Sequence, residues 1–419
     1  MIRDKNMKLF KRETYLSKLR GFYDATDIIK IITGVRRAGK SSILQLVIDE
    51  LKVNGIEDNN IIMINLEKKG YKNIRTPEAL ESRIDDLANA SDNNHIKYLF
   101  IDEIQYVRGF EEVVNAYRAE GDWSIFITGS NSYLLSSEIG TRLTGRYISL
   151  EVYTLNFQEY ESMKKFYGMP INPNPLAELD SYIREGGFPR TVLFDEYSDK
   201  QLYTQNIVNE IFEKDIKARA KIKNVNVFNS ITDFVIGNFG STFSINSLDA
   251  ELRKNGNNIS RATLSRYIKL LVDAKIIYEC ERFDTKSKKV LSGEKKYYLA
   301  DTSFYYSRNT DNKVNYGPAL ENMVFIYAKS RNCSISVGKI GSFECDFIVR
   351  SPSSGFAYIQ VCYSILSSKE TEEREYRPLE KLKDNWPKYI ATTDYSLQHR
   401  NGIQHINIMD FVKQNRDFC

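Results

Sequence analysis

The sequence predicts an α/β fold built on a mostly parallel sheet, and three observations support that prediction. Short runs rich in β-branched residues, at 27–33, 60–66, 97–101 and 123–128, alternate with segments whose apolar residues are spaced three and four apart. A glycine-containing segment follows the first run and opens the first helical pattern. A further strand is predicted at 147–152. This alternation is typical of a parallel sheet with helices on both faces.

The composition is that of a globular protein without a dominant charge. A chain of 419 residues, 42% of them hydrophobic, predicts two to four packed domains. The 59 basic and 55 acidic residues nearly cancel, so any surface for a polyanion must be local. The N-terminal stretch has no signal-like apolar region and no later run has the ~18 apolar residues of a membrane span, which predicts a cytoplasmic protein without a membrane partner. Five cysteines without a C-x-x-C pair predict reduced thiols.

The segment ITGVRRAGKSS, residues 32–42, meets the pattern G-x-x-x-x-G-K-[ST]. The two glycines permit a tight loop whose backbone N–H groups surround phosphates, while Lys40 would bridge the β- and γ-phosphates and Ser41 would ligate Mg²⁺. The loop follows a predicted strand and opens a helix, as this mechanism requires. The sequence therefore predicts ATP and Mg²⁺ as ligands. The residues expected around the nucleotide are Gly34, Val35, Arg36, Arg37, Ala38, Gly39, Lys40, Ser41 and Ser42.

An acidic pair ends the apolar strand in YLFIDEIQ. At the tip of that strand Asp102 is expected to hold Mg²⁺, and Glu103 to orient and deprotonate the attacking water. The alternative interpretation is a buried strand that ends in a solvated acidic turn.

Five motifs follow one another along the chain: ITGVRRAGKSS, IDEIQ, ITGSNSYLLSSE, TGRYISLEVYTLNFQEY and REGGFPR. In this order and spacing they resemble the archaeal and bacterial ATPases of the AAA+/STAND-related P-loop class. The C-terminal part resembles the conserved domain of unknown function that usually follows that core. The resemblance covers nearly the whole chain and implies a P-loop NTPase sheet that hydrolyses ATP.

The resemblance also implies roles for residues outside the loop. Asn131, in ITGSN, matches a polar residue that senses the γ-phosphate, although a turn residue at a strand end is the alternative. Arg146, or else Arg142, matches an arginine that stabilises the transferred phosphoryl group, either in cis or from a neighbouring subunit of a homo-oligomer. A surface salt bridge is the alternative for both arginines. Arg12 and Glu13 are expected near the base of the site.

A helical lid is expected at residues 158–223, interrupted by the proline-containing loop at 169–176. Gly186, Gly187 and Pro189, in GGFP, resemble the glycine-proline signature of a lid that packs near the nucleotide. The residues alone would predict only a turn.

Residues 224–305 show a winged-helix pattern of three helices followed by a hairpin. Ser260 is the predicted N-cap of the third helix. Strands at 276–283 and 295–300 are expected to flank a lysine-rich loop at 285–294.

The third helix and the hairpin supply the residues that could contact double-stranded DNA. The predicted contacts on the helix are Arg261, Ser265, Arg266 and Lys269. The predicted contacts on the wing are Lys288 and Lys289, within a group that also includes Lys286, Lys295 and Lys296. The alternative is a packing or regulatory module with solvated lysines.

Residues 306–419 have an element order that resembles the PD-(D/E)XK nuclease fold. Asp346 and Glu321 match two of the metal-binding acids of that fold. Gln360 and Cys362 stand where the second strand acid and the lysine belong, and neither side chain can replace them chemically. We therefore expect a degenerate nuclease fold retained for binding or for structure.

Three functions follow from these observations. The first is Mg²⁺-dependent ATP hydrolysis by a core at 1–157, coupled to movement of the lid, the winged helix and the nuclease-like domain on DNA. The second is a slow, nucleotide-gated switch or DNA-binding regulator. The third is an ATP-dependent nuclease.

Overall fold

The computed structural model describes residues 8–89, 91, 95–130, 142–143, 145–217, 220–254, 256, 259–308, 313–352 and 355–419. The chain forms two compact units, Met1–Val152 and Tyr153–Cys419. Within these described ranges, no helix has both the length and the apolar character needed to cross a membrane.

The first unit contains a five-stranded sheet in the order β2-β3-β4-β1-β5, and every neighbouring pair is parallel. The strands are β1 (Ile29–Thr33), β2 (Ile61–Asn65), β3 (Lys97–Asp102), β4 (Trp123–Thr128) and β5 (Tyr147–Glu151). All five were predicted, with bounds that differ by at most two residues. The predicted α/β fold with a parallel sheet is confirmed.

The α-helices described in the first unit are α1 (Glu13–Arg20), α2 (Lys40–Val53), α3 (Pro77–Ala88) and α4 (Phe110–Glu120). Short 3₁₀ turns occur at Asp58–Asn60, Lys69–Tyr71 and Ile104–Tyr106. Helix α3 begins where Thr76 accepts a hydrogen bond from the Ala79 N–H and Pro77 occupies the first position, where its missing donor is harmless. Apolar residues of α3 and α4 and of the sheet form one core cluster, which fixes the strand ends that later define the site.

Lys30 is a fully buried cation in β1. Its ammonium donates hydrogen bonds to the carbonyls of Ala25 at 2.7 Å and Ile28 at 3.1 Å, and to the Ser124 hydroxyl at 2.8 Å. Burial lowers the pKa of Lys30 to about 7, against the opposing charges of nearby aspartates. The charged form is therefore solvated by neutral oxygens rather than by a bonded carboxylate.

The second unit opens with helices in the segment predicted as a helical lid. These are α5 (Phe157–Phe166), α6 (Pro175–Glu185) and α7 (Tyr197–Glu210), with a 3₁₀ turn at Thr191–Leu193 and a π-helical turn at Ile211–Lys217. Asn156 caps α5 through a capping box with Glu159, and Asn174 caps α6 just before Pro175. The predicted loop at 169–176 therefore ends inside the first turn of α6.

Further along, the second unit contains α8 (Val225–Gly237), α9 (Ile245–Lys254), α10 (Arg261–Asp273), α11 (Ser303–Tyr306), α12 (Tyr316–Ser330), α13 (Lys369–Glu380) and α14 (Ile408–Lys413). The Ser260 hydroxyl accepts from the Thr263 N–H at 3.3 Å, which confirms the predicted N-cap of α10. Helix α14 was not predicted.

A nine-stranded sheet in the order β13-β14-β12-β11-β10-β9-β7-β8-β6 forms the core of the second unit. The strands are β6 (Thr242–Phe243), β7 (Ile277–Asp284), β8 (Lys289–Leu299), β9 (Ser334–Ile340), β10 (Phe343–Ser351), β11 (Gly355–Val361), β12 (Lys388–Thr392), β13 (His399–Arg400) and β14 (Ile403–Asn407). Parallel pairing of β7 with β9 joins the hairpin to the C-terminal strands. One sheet therefore contains strands from both sides of the domain boundary that the sequence suggested between residues 305 and 306.

The lysine-rich segment of the hairpin is mostly strand, which corrects the predicted loop at 285–294. Strands β7 and β8 pair as far as Asp284 and Lys289, so that only residues 285–288 form the turn. The lysines and the glycine of this segment hid the strand, because Lys and Gly have low strand preference.

We predict that Lys30→Met changes the pH dependence of stability. Folded Lys30 has a lower pKa than its unfolded value of 10.5, so between about pH 7 and 10.5 the unfolded chain binds the extra proton. Below about pH 7 Lys30 is charged in both states, and the folded state carries the full free-energy cost of burying that charge. This cost decreases as the pH rises toward 10.5. The stability of the parent relative to the Met variant should therefore increase by ~1–3 kcal/mol from about pH 7.5 to 9.5.

Urea unfolding followed by the fluorescence of Trp123, with Trp386 replaced by Phe in both chains, measures this difference. Lys52→Met is the matched control, because Lys52 is exposed on α2. Parallel pH curves for the Lys30→Met variant and its parent would contradict the assignment.

Candidate active site

The loop of residues 34–39 connects β1 to α2 and depends on its two glycines. Gly34 has φ +138°, and a Cβ there would lie 2.1 Å from the Val152 carbonyl oxygen. Gly39 has φ +103° and is the N-cap of α2. A side chain at either position would be strained, and at Gly34 it would also collide with the backbone after β5. The loop thus turns tightly and presents its backbone toward the first turn of α2.

Lys40 folds back over this loop. Its Nζ donates to the carbonyls of Gly34 at 3.1 Å and Val35 at 3.3 Å, and the residue is only 4% exposed. The ammonium is therefore held inside the curve of the loop by neutral acceptors. Exchange of two neutral acceptors for phosphate oxygens would strengthen its hydrogen bonds.

Arg12 contacts the loop from the chain that precedes α1. Its Nη1 donates to the Ala38 carbonyl at 3.1 Å, and the guanidinium lies 4.5 Å from the centre of the Tyr15 ring. The structure thus places Arg12 at the base of the site. Glu13 instead pairs with Arg20 at 2.8 Å and is largely exposed.

Asp102, the last residue of β3, is 1% exposed, and both of its carboxylate oxygens accept hydrogen bonds. The Thr128 hydroxyl donates to Oδ1 at 2.5 Å, and the Asn65 amide donates to Oδ2 at 2.7 Å. Glu103 follows in a left-handed conformation, φ +59°, its N–H donating to Thr128 Oγ1 at 2.9 Å and its carboxylate accepting from the Gln105 amide. Because Asp102 and Glu103 are both buried, the alternative of a solvated acidic turn is wrong.

The parallel sheet explains why these side chains meet. Parallel strands end at one edge, and β1, β2, β3 and β4 end in Thr33, Asn65, Asp102 and Thr128. Asn65 is directly opposite Asp102 in the strand register. Thr33 Oγ1 is buried and has no hydrogen-bond partner within the described part of the chain. Sequence analysis missed Asn65 and Thr128, although each is a polar residue that ends an apolar strand.

Two further residues tie the loop to this edge. Arg36 donates to Glu67 at 3.3 Å, just after β2, and the Tyr106 hydroxyl donates to the same Glu67 oxygen at 3.1 Å.

Ser41 lies in the first turn of α2 with an exposed side chain. A glycine loop closed on an ammonium, an accessible hydroxyl and a buried carboxylate are the donor set that a Mg²⁺–nucleotide needs, so the residues fit that ligand.

The predicted arginines lie elsewhere in the first unit. The Arg146 carbonyl accepts from the N–H of Ile29, the first residue of β1, so Arg146 is at the amino edge of the sheet. The five residues of β1 span roughly 16 Å between that edge and the loop. This distance does not fit a cis contact between Arg146 and a phosphate held by the loop. Arg142 pairs with buried Glu111 at 3.3 Å, and Asn131 lies outside the described residues.

The GGFP turn has a packing role within the second unit. A Cβ at Gly186 would lie 1.8 Å from Asp301 Oδ1, and a Cβ at Gly187 would lie 2.2 Å from the Leu155 carbonyl oxygen. The Gly187 N–H donates to Asp301 Oδ2 at 2.8 Å, and burial raises the pKa of Asp301. The glycines are thus explained by close packing, and a nucleotide contact from Pro189 stays a prediction.

The surface of α10 bears the predicted DNA contacts, and all four are exposed: Arg261, Ser265, Arg266 and Lys269. Arg266 donates to the Lys221 carbonyl at 2.8 Å, while Lys269 lies 3.7 Å from Asp273. Lys288 and Lys289 are exposed where the hairpin turns. These residues are therefore accessible to a partner.

Lys296 does not belong to this exposed group, which corrects the prediction that it contributes to the wing. It is buried, with its Nζ 3.2 Å from Glu321, 3.1 Å from Glu344 and 3.8 Å from Asp346. Burial lowers the pKa of Lys296, but the three carboxylates outweigh it and raise that pKa above its ordinary value. The Tyr298 hydroxyl also donates to Glu321 at 2.7 Å.

This buried cluster contains the two acids predicted for a nuclease-like site. Asp346 accepts from the Val361 N–H at 2.8 Å, and its own N–H donates to the Gln360 side chain at 3.3 Å. Burial raises the pKa of Asp346, and the nearby Glu321 carboxylate adds to that effect. In the described ranges, no group of three or more His, Cys, Asp or Glu residues is arranged to hold a metal ion. The Lys296 ammonium lies among these acids and pairs with them, so a metal would have to displace it.

The chain is similar in sequence to known proteins. A family model described as an AAA domain matches residues 26–161. An uncharacterized protein of Haemophilus influenzae is 34% identical over 407 residues, 97% of this chain and 99% of that protein. An uncharacterized protein of Methanocaldococcus jannaschii is 32% identical over 366 residues, 85% of this chain and 79% of that protein. The chain belongs to the same family as these two proteins, and its residues 26–161 are similar to an AAA domain.

Two further comparisons concern the fold and the later part of the chain. A model of a domain of unknown function (DUF8612) matches residues 176–313. The Walker-type ATPase of Pyrococcus abyssi is similar in structure, with a TM-score of 0.51 and 16% identity, over 73% of this chain and 98% of that one. The match to an AAA domain and this similarity of fold support the ATPase core of the resemblance noted from the motifs.

We predict that Gly34→Ala is much more destabilising than Gly55→Ala. Both glycines have positive φ, but a Cβ at Gly55 meets nothing within 4 Å. Gly55→Ala should cost about 1 kcal/mol of strain, whereas Gly34→Ala must also displace the Val152 carbonyl and should cost ~3 kcal/mol or more. Thermal unfolding with and without ATP measures both effects, and equal losses for the two variants would contradict the packing described for Gly34.

Proposed function

We propose that the chain hydrolyses ATP in a Mg²⁺-dependent reaction at the carboxyl edge of the five-stranded sheet. The observation that supports this most strongly is the joint burial of Asp102 and Glu103 at that edge, beside a glycine loop with Lys40 inside it. The similarity of residues 26–161 to an AAA domain agrees with the proposal.

Each residue has a definite part in this reaction. The loop N–H groups and Lys40 bind the phosphates, and Lys40 exchanges the Gly34 and Val35 carbonyls for phosphate oxygens. Ser41 and Asp102 would hold Mg²⁺, which would supply positive charge to the phosphate oxygens. Glu103 accepts a proton from the attacking water, while the Gln105 amide orients its carboxylate.

Residues outside the described edge complete the proposal. Asn131 would hydrogen-bond the attacking water, and Pro189 would contact the nucleotide from the lid. Because Arg146 is at the amino edge, a phosphate contact by this residue requires a second copy of the chain. Mixing Lys40→Ala chains with Arg146→Ala chains tests this role, since shared sites would recover part of the activity. Mixtures as inactive as their components would remove the arginine from the mechanism.

We predict different defects for two active-site variants. Lys40→Ala should abolish both ATP-dependent thermal stabilisation and phosphate release, because the principal phosphate ligand is lost. Glu103→Gln should keep the stabilisation but slow phosphate release by about 10²–10⁴-fold, since only proton transfer is removed. Lys52→Ala, an exposed substitution on the same helix as Lys40, is the control and should behave like the parent.

Full phosphate release by the Lys40→Ala variant would reject the proposal. Turnover by the parent slower than about one per minute, with tightly retained nucleotide, would instead favour a nucleotide-gated switch over an enzyme working at ~1–10³ per second.

A second candidate function is duplex DNA binding coupled to the nucleotide cycle, as a regulator or as a motor. The specific observation in its favour is the exposed basic face of α10, together with Lys288 and Lys289 on the hairpin. On this hypothesis three helices and a hairpin form a winged helix whose α10 enters the major groove. The nuclease-like domain then serves binding or structure, since Lys296 occupies its acid cluster.

We predict that Lys269→Ala weakens binding of a short labelled DNA duplex and lowers the slope of log affinity against log salt by ~1. Fluorescence anisotropy at about 50 and 200 mM salt provides the measurement. Lys254→Ala, an exposed substitution on the preceding helix, is the control and should leave both quantities unchanged. Identical salt slopes for all three proteins would show that α10 does not contact the phosphates.

A further inference from the structure

An open groove of about 950 Å³ lies on one face of the nine-stranded sheet. Helix α13 packs on β10, β11, β12 and β14 and ends at Glu380, which leaves the sheet surface toward β9 and β7 uncovered. The chain at 381–386 forms one rim, and the hairpin turn at 285–288 lies on the other side. The floor is apolar and partly aromatic, with Phe283, Ile340, Ile348, Phe356 and Tyr358 among its residues.

Trp386 presents an exposed ring at the rim, and its position is fixed by the backbone. Trp386 is 43% exposed. A Cβ on Gly355 would lie 2.4 Å from its ring, so the indole packs directly against that glycine. The Phe356 ring contacts Trp386 edge-on, with centroids 5.9 Å apart. The Arg350 guanidinium lies 5.6 Å from the Phe356 centroid. A planar group could therefore stack on Trp386 at little cost in conformational entropy.

The lining of the groove has an excess of positive charge. Its cations are Lys286, Lys288, Arg350, Lys381 and Lys383, and its carboxylates are Glu281 and Asp384. Asp384 accepts from the Tyr358 hydroxyl at 2.7 Å and pairs with Lys388, outside the lining, at 3.1 Å. The lining therefore contains five cations, and Glu281 is its one carboxylate without a pairing like that of Asp384. This excess of positive charge favours an anionic ligand with several charges.

We propose that this groove binds single-stranded nucleic acid. A single strand combines a chain of phosphates, which complements the lysines on both rims, with exposed base faces that can stack on Trp386 and Phe356. A duplex keeps its base faces inside the helix and cannot use these rings. An extended acidic peptide would need a free strand edge, but β9 is paired on both sides, with β10 and with β7. This site differs from the face of α10 in both position and ligand.

The first test uses the intrinsic fluorescence of the full chain, which has two tryptophans. Titration with an oligothymidylate should quench Trp386 fluorescence, and the quenching should disappear in the Trp386→Phe variant. Anisotropy with labelled oligothymidylate should show nearly parental affinity for Trp386→Phe, which keeps a stacking ring, and about 5- to 100-fold weaker binding for Trp386→Ala. Thermal unfolding of both variants identifies any loss caused by misfolding, and Trp386→Phe supplies the result if Trp386→Ala fails to fold.

The second test addresses the charge of the rim. Lys381→Ala and Lys383→Ala should each weaken binding and lower the salt slope by ~0.7, the value expected for one lost contact to a single-strand phosphate. Lys165→Ala, an exposed substitution on α5 outside the groove, is the matched control and should change neither quantity. Lys269→Ala, on α10, should also leave single-strand binding unchanged.

The experiment separates this site from the ATPase proposal, because single-strand binding should persist in the Lys40→Ala variant. Absence of binding and quenching at about 50 mM salt would overturn the proposal. So would equal quenching of Trp386 by a duplex and by a single strand, or parental single-strand affinity in the Trp386→Ala and Lys381→Ala variants. If a polyglutamate peptide itself quenched Trp386 and displaced the oligonucleotide at equivalent concentrations, the groove would be assigned to acidic peptides instead.

Discussion

The active edge of the first unit depends on the parallel arrangement of four adjacent strands. Parallel strands place all their carboxyl ends at one edge, so Thr33, Asn65, Asp102 and Thr128 converge although the sequence separates them widely. The glycine loop leaves the same edge and is pressed against the Val152 carbonyl at Gly34. Antiparallel pairing of any one of these strands would move its terminal polar residue to the opposite edge.

The second unit is organised by a different constraint, the continuity of its sheet. Pairing of β7 with β9 brings Lys296 of the hairpin to Glu321, Glu344 and Asp346. A buried cluster of this kind contributes little net stability, but removal of one partner leaves a buried unpaired charge. Lys296 thus makes the hairpin and the C-terminal strands interdependent, because neither can bury its charges without the other.

Sequence analysis was most successful where function depends on local pattern. The strand, glycine loop and helix around Lys40, and the strand that ends in Asp102, are each contiguous, so spacing and residue type were sufficient to predict them. It could not decide questions that depend on which strands pair. The distance of Arg146 from the loop follows from the register of β5 with β1, and the burial of Lys296 follows from the pairing of β7 with β9. Neither pairing leaves a local signal in the chain.

The same dependence on pairing explains the groove. Trp386 and Phe356 are far from Lys286 in sequence, and nothing in their local context distinguishes them from ordinary core aromatics. Only the ending of α13 at Glu380 shows that part of the sheet stays uncovered.

The two buried acidic clusters differ in how their charge is balanced, and that difference separates a site suited to a metal from one that is not. Asp102 accepts hydrogen bonds from the Asn65 amide and the Thr128 hydroxyl, both neutral groups, which orient the carboxylate without cancelling its charge. Asp346 lies 3.8 Å from the Lys296 ammonium, which offsets part of the local negative charge. A divalent cation approaching Asp102 would meet an oriented, uncompensated carboxylate, whereas at Asp346 it would compete with Lys296 for the same oxygens. Charge balance therefore favours the first unit for the proposed Mg²⁺ site, even though the second unit contains more carboxylates within a few ångströms of one another.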